Sequence, residues 1–224
     1  MSKKNISQEK IIQAFLASAF EKSAGATSLA DIAEILEIKK ASLYNHFENR
    51  DAMYDATIYY CGKEIDKITF LPEKALDPAK TSKTTPYAFF KKMITRFFEM
   101  YENEPLFQMY AFIHTEQYFN VDALKIVEKE IEKMTAEIRL ILNAFIDAGK
   151  VSKKTDRELK DLSMAVTSII LQQRDFYIAT KKETVRQNPD CGAGSLFALP
   201  TDETALTRTI KLVEASLKSM KYEV

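Results

Sequence analysis

Between Thr27 and Tyr54 the chain reads TSLADIAEILEIKKASLYNHFENRDAMY, two short amphipathic segments broken once, and this spacing narrows the fold more than any other stretch. Ser28 stands where a cap accepts from a first-turn amide, Asp31 follows three residues later as in a capping box, and Leu29, Ile32, Ala33 and Leu36 recur at helical spacing. The chain turns at Glu37 and Ile38, and a second short helix is expected from Lys39 to Phe47, with Leu43 and Phe47 facing the first. Its other face carries Lys39, Lys40, Ser42, Tyr44, Asn45 and His46. Such groups suit phosphates and base edges better than a core, which is the pattern of a recognition helix in a helix-turn-helix.

Two helices of this size bury too little apolar surface to fold alone. The stripe Ile11, Phe15, Ala19 and Phe20, with Ile12 and Leu16 beside it, predicts a first helix from Ser7 to just before Gly25 that supplies the floor. Farther on, the whole chain has five glycines and no long alternation of apolar and polar residues, so the fold class is expected to be all-α. Its 32 basic and 32 acidic residues cancel, which removes a diffuse positive field as a means of holding nucleic acid. Residues 1–50 hold seven Lys/Arg against six Asp/Glu, so the placement of the lysines matters more than their number.

The sequence Gly25-x-Thr27-Ser28-Leu29-x-Asp31-Ile32-Ala33, followed by Ala41-Ser42-Leu43-Tyr44-Asn45-His46-Phe47-x-x-Arg50, resembles the tetracycline-repressor (TetR) family. The motif covers about the first fifth of the chain. The resemblance implies an N-terminal DNA-binding domain over residues 1–52 and a larger helical effector-binding and dimerisation domain over 53–224. It implies that Lys39, Lys40, Ala41 and Asn45 lie near base edges and that Ser28, Tyr44, His46 and Arg50 hold phosphates. Lysine can read guanine, asparagine can pair with adenine, and hydroxyl, imidazole and guanidinium groups suit phosphate oxygens. A solvated basic helix is the alternative for the lysines, and a structural role for His46. The sequence departs from the family at Glu37, where a turn glycine is usual, and a left-handed backbone there would store about 1 kcal/mol. At Lys39 many relatives have serine or threonine, so operator preference is not transferable.

Beyond the motif, Met53, Ala56, Thr57, Tyr60, Ile65 and Ile68 predict a connecting helix in which Gly62 marks close packing or a bend. Pro72, Pro78 and the run 80–85 predict a loop; Pro86 and Pro105 stand where first-turn prolines open helices. Eleven of the 24 Phe and Tyr residues fall between Tyr87 and Phe119, with Met93, Met100 and Met109 among them. That density suits a cavity for an apolar or aromatic ligand, or else core packing and a subunit contact. Leu124, Val127, Ile131, Met134, Ile138, Ile141 and Phe145 alternate at spacings of three and four, so a long helix ending at Gly149 follows. Leu159, Leu162, Val166, Ile169, Gln173 and Phe176 continue the alternation in a helix opened by Thr155 or Asp156. Within Gln172-Gln173-Arg174-Asp175 at least one polar side chain should meet a buried surface, and its partner is a ligand, the same chain or a second subunit. Residues 182–203, with Pro189, Cys191, Gly192, Gly194 and Pro200, predict a long loop before a last helix carrying Leu206, Ile210, Val213, Leu217 and Met220.

These readings give seven candidate ligand-binding residues: Phe97, Tyr101, Met109, Tyr110, His114, Gln173 and Phe176. His114 serves a ligand or is an ordinary core or surface histidine. With two histidines 46 and 114 and two distant cysteines 61 and 191, neither a metal site nor a cofactor nor a disulfide framework is expected. No phosphate-binding glycine loop or nucleophile elbow is present, acidic pairs such as Glu128/Glu132 read as solvated helix faces, and no catalytic residue is assigned. The expected protein is cytoplasmic, does not engage a membrane, and is a dimeric regulator, in sense a repressor. Its partners are double-stranded operator DNA, a small apolar or aromatic effector, and a second copy through the helices at 156–181 and 204–222. The competing reading is a helical partner-binding protein of the same fold without sequence-specific DNA binding.

Overall fold

A computed structural model describes residues 6–77, 84–102, 105–187 and 202–219. The basic pair Lys3 and Lys4, Pro78, the stretch from Pro189 to Pro200 with Cys191, and Met220 lie outside the described residues. All regular structure within them is helical: α1 (Gln8–Lys22), α2 (Leu29–Ile35), a 3-10 helix (Lys40–Asn45), α3 (Arg50–Asp66), α4 (Pro86–Met100), α5 (Leu106–Glu116), α6 (Val121–Asp147), α7 (Asp156–Gln187) and α8 (Glu203–Ser219). No described helix is long and apolar enough to cross a membrane.

Local chemistry sets most helix ends. Ser7, Ser28, Asn49 and Thr85 each accept a first-turn backbone N–H through the side chain, and Pro86 opens α4 where its missing N–H costs nothing. Pro105 is the residue before α5 rather than its first. Gly149, at φ +70°, closes α6 while Lys150 N–H donates back to the Phe145 carbonyl at 2.9 Å. At the far end of α7 the expectation of a loop from residue 182 is corrected. The helix continues to Gln187, supported by Glu183, which accepts from Arg186 and Gln187 at 2.7 Å along the same face.

The chain packs as two compact units, Met1–Ile68 with Pro105–Glu128, and Thr69–Glu104 with Lys129–Val224. In the first unit α1, α3 and α5 pack against one another, and α2 rests on α1 and on the 3-10 helix. Its interior is largely aromatic, and among its described residues the one buried carboxylate, Glu116, accepts from the Tyr54 hydroxyl at 2.7 Å. Phe20 meets Phe107 edge-on at 5.2 Å, and Phe15, Tyr54 and Phe112 form a triangle with centroids 6.0–6.3 Å apart. Gly62 sits where α3 meets the start of α6, and a Cβ there would stand 2.7 Å from Ile126 Cδ1, so this glycine marks close packing.

In the second unit α8 packs against α4 and α7. Of the α6 seam, Met134, Ile138, Ile141 and Phe145 are buried in this unit, while Leu124 and Val127 belong to the first unit, Val127 buried and Leu124 39% exposed. The seam of α7 is corrected in its second half. Leu159, Leu162 and Val166 are buried as expected, but the buried line then runs through Ile170, Arg174, Tyr177, Ile178 and Lys181. Phe176 is 56% exposed because two residues beyond Arg174 is about 200° around a helix.

Candidate nucleic-acid interface

The geometry around Lys39 begins with α2. Ser28 Oγ accepts from Asp31 N–H, and Asp31 Oδ2 accepts from Ser28 N–H at 2.7 Å, which completes the capping box. Lys22 Nζ lies 2.6 Å from the same carboxylate. That hydrogen bond, with those from Ser28, holds Asp31 down at a pKa of about 2. The turn that follows places Glu37 at φ 52°, the left-handed conformation that the sequence predicts to be strained at a non-glycine residue. Ile38 N–H still reaches the Ala33 carbonyl at 2.9 Å, which fixes the exit direction from α2.

The second segment differs from its expectation in form. It is a 3-10 helix over Lys40–Asn45 with Lys39 as its extended N-cap, not an α-helix from Lys39 to Phe47. Six residues with one buried side chain, Leu43, give too little cooperative length to enforce α-helical bonding. The consequence for the surface is definite. Leu43 is fully buried, whereas Lys39, Lys40, Ala41, Tyr44 and Asn45 are all exposed, Tyr44 to 51%. Residues three apart eclipse in such a helix, so Ala41 and Tyr44 share one ridge. His46 is half-buried, and Gln8 Nε2 donates to its carbonyl at 3.1 Å, pinning the end of the segment to α1.

Arg50 occupies a different place from the phosphate-holding one that the resemblance implies. Its Nε donates to the Thr27 carbonyl at 2.7 Å, its Nη2 donates to the Ala24 carbonyl, and the guanidinium lies 5.5 Å above the Phe15 ring. Those bonds tie the loop before α2 to α3 and leave the exposed cationic groups of this face to Lys39 and Lys40. Motif spacing alone could not reveal this, because both acceptors are backbone carbonyls more than twenty residues away. Ser28 itself is exposed, so its hydroxyl is reachable from outside while capping α2.

The seven candidate ligand residues are not gathered at one place. Met109, Tyr110 and His114 lie on α5 in the first unit, where Met109 and Tyr110 are buried and His114, half-buried, stacks on Tyr110 with ring centres 3.9 Å apart. Phe97 and Tyr101 of α4 and Gln173 and Phe176 of α7 belong to the second unit. Phe97 and Tyr101 are buried and meet edge-on at 5.2 Å. Gln173 is half-buried and Phe176 exposed, so the deeply buried polar residue of this run is Arg174, at 0% exposure, and its partner Glu130 is in the same chain. A shallow groove of about 530 Å³ along α8 is lined by Glu203, Thr204, Thr207, Arg208, Lys211 and Leu212, and contains none of the seven. Among the described residues, no three His, Cys, Asp or Glu side chains are grouped to hold a metal ion.

Comparison with known proteins agrees with this arrangement. Residues 11–57 match the family model described as "Bacterial regulatory proteins, tetR family". Over 64 residues the chain is 34% identical to the biofilm operon icaADBC HTH-type negative transcriptional regulator IcaR of Staphylococcus aureus (strain Newman), covering 29% of this chain and 34% of that one. The match thus spans about a third of the length of the curated relatives. Among solved structures, a TetR transcription regulator from Haloarcula marismortui ATCC 43049 superposes with a TM-score of 0.58 at 14% identity, over 95% of this chain and 97% of that one. A TetR-like transcriptional regulator from Rhodococcus sp. RHA1 does so with a TM-score of 0.57 at 15% identity, over 94% and 95%. At those identities the likeness is one of fold, and it extends over nearly the whole chain.

Proposed function

We propose that this chain is a TetR-like regulator that works as a homodimeric repressor, reads a palindromic operator and leaves it when a small effector binds; the match of residues 11–57 to the family model and the likeness of fold support this reading. Residues 1–52 carry DNA binding, and residues 53–224 carry effector binding and dimerisation. The observation that supports this reading best is the exposure of Lys39, Lys40, Ala41, Tyr44 and Asn45 on a short helix anchored by a buried Leu43. Lys39, Lys40, Ala41 and Asn45 meet base edges in the major groove, and Ser28, Tyr44 and His46 hold phosphates. Arg50 acts on DNA indirectly, by fixing the angle of α2 through Ala24 and Thr27.

The repressing sense is supported by the relative whose name describes a negative regulator. Dimerisation uses the helices at 156–181 and 204–222. The seam residues Leu159, Leu162, Val166, Leu206, Ile210 and Val213 are already covered within the chain. The contact between copies therefore falls to the apolar side chains that the chain leaves uncovered, Met164 and Phe176 of α7, 44% and 56% exposed, and Leu212 of α8 at 40%. Effector release follows from differential affinity: the effector binds the spacing of recognition segments that does not fit the operator more tightly than the one that does.

The test is a salt titration of operator binding by the wild type and Tyr44→Ala. The variant should lose about 1.5–3 kcal/mol of affinity, that of a hydrogen bond to a charged phosphate, while its unfolding midpoint stays unchanged because Tyr44 is exposed. Undiminished binding by Tyr44→Ala would overturn the assignment of this face.

A further inference from the structure

The second unit has an interior unlike an ordinary helical core. Arg174 on α7 is 0% exposed, with its guanidinium 5.1 Å from the Phe97 ring centre and 4.6 Å from that of Tyr101. Its Nη1 and Nη2 donate to the two oxygens of Glu130 at 2.5 and 3.1 Å, and Tyr101 Oη donates to Glu130 at 3.0 Å. Burial alone would lower the pKa of Arg174, yet the adjoining Glu130 carboxylate raises it above its ordinary value, so the guanidinium stays charged. Seven residues along α7, Lys181 repeats the arrangement. It is buried, lies 3.7 Å from Glu102, and that carboxylate also accepts from the Tyr177 hydroxyl.

The two pairs share an asymmetry of depth. The cationic side chains are 0% and 6% exposed, and their carboxylate partners are 11% and 17% exposed. The carboxylates are the outer members and the cations the inner ones. A buried ion pair contributes little net stability compared with apolar side chains of the same volume, so stability does not account for two of them. Exchange does. A ligand carboxylate that replaces Glu130 on the guanidinium leaves the buried charge unchanged, and Glu130 has only to turn outward into water. A neutral ligand in that place would leave Arg174 buried without a counter-charge, and a cationic one would add a second positive charge beside it.

We propose that the second unit binds a small aromatic carboxylate, its carboxylate on the Arg174 guanidinium in place of Glu130 and its ring among Phe97 and Tyr101. The proposal rests on the regulator reading above and names the chemical class of its effector. Bidentate guanidinium–carboxylate bonding supplies the selectivity, and the flanking rings select a flat apolar body.

The experiment is calorimetric titration of the full-length protein, without DNA and at fixed ionic strength, with benzoate and its neutral and cationic counterparts benzamide and benzylamine. Benzoate should bind once per chain and the other two should not. Glu130→Gln removes the competing carboxylate and should bind benzoate at least tenfold more tightly, a gain that a merely structural salt bridge would not produce. Arg174→Met/Glu130→Leu removes both charges together, keeps a folded circular-dichroism spectrum, and should lose benzoate binding. Three outcomes overturn the proposal: no benzoate binding by either the wild type or Glu130→Gln, equal binding by the double variant, or preference for benzylamine. Operator binding is measured separately. A protein that selects DNA but ignores benzoate retains the regulator reading and loses this one, and a protein that binds benzoate but no DNA does the reverse.

Discussion

The two compact units differ in the charges they bury. In the first, the ion pair Lys22–Asp31 lies at the surface and sharpens a helix start, while the interior is mostly interlocked rings around Phe15, Phe20, Phe107 and Phe112, with a buried carboxylate, Glu116, held by the Tyr54 hydroxyl rather than by a cation. In the second, Arg174 and Lys181 are placed inside, against carboxylates and tyrosine hydroxyls. A closely packed interior of rings resists deformation and suits a unit that must present a fixed recognition surface. A charged interior is stable only while every member is satisfied, so it responds to whatever changes its partners.

The largest effect that would break this comparison is in the second unit. Glu130→Leu alone strands Arg174, which is 0% exposed, and should cost about 3–5 kcal/mol in chemical denaturation, whereas Arg174→Met/Glu130→Leu should return close to wild-type stability. Equal losses in the single and double variants would mean that the pair is ordinary packing. Next in size is Gly62→Ala in the first unit. Its new methyl group meets Ile126 Cδ1 and should cost about 1–3 kcal/mol, with much of it recovered by shortening that neighbour in Ile126→Val. No loss on Gly62→Ala would show that α3 and α6 have room to separate, contrary to a tightly packed first unit.

Smaller still is the surface cap. Ser28→Ala should cost about 1 kcal/mol, read from the denaturation midpoint. The associated pH dependence has a definite sign. Asp31 falls from an ordinary value of 3.8 to about 2 on folding, so its contribution is fully present above pH 4 and is lost as pH falls through 2. Asp31→Asn should therefore flatten the acid limb of stability between those values. An unchanged limb would remove Asp31 from the account.

How much of this was legible in the sequence depended on how local the cause was. The Ser28/Asp31 box, the strain at Glu37, the start of α4 at Pro86 and the end of α6 at Gly149 each arise within a few residues, and each is found in the structure. What the sequence did not disclose depends on distant partners. Periodicity brought Gln173 and Phe176 onto the α7 seam, but the buried position went to Arg174 because Glu130, 44 residues earlier, neutralises it. Glu183 fell within the expected loop from residue 182, yet it braces the last turn of α7, and Lys181 just before it is buried against Glu102. Arg50 carried a motif position whose side chain is engaged by two carbonyls that no pattern marks. The dense aromatic run from Tyr87 to Phe119 was divided by the fold: Phe107 and Phe112 complete the first unit, Phe97 and Tyr101 the second, while Tyr118 and Phe119 remain exposed at 79% and 81%.

The central claim is that the exposed face of Lys39–His46 reads DNA. Selection of genomic fragments by the purified protein, run beside Tyr44→Ala/Lys39→Ala, tests it most directly. Enrichment of a single palindromic site that disappears in the double variant is the predicted result. Failure to enrich any fragment at low salt, or enrichment that survives in the variant, would contradict it.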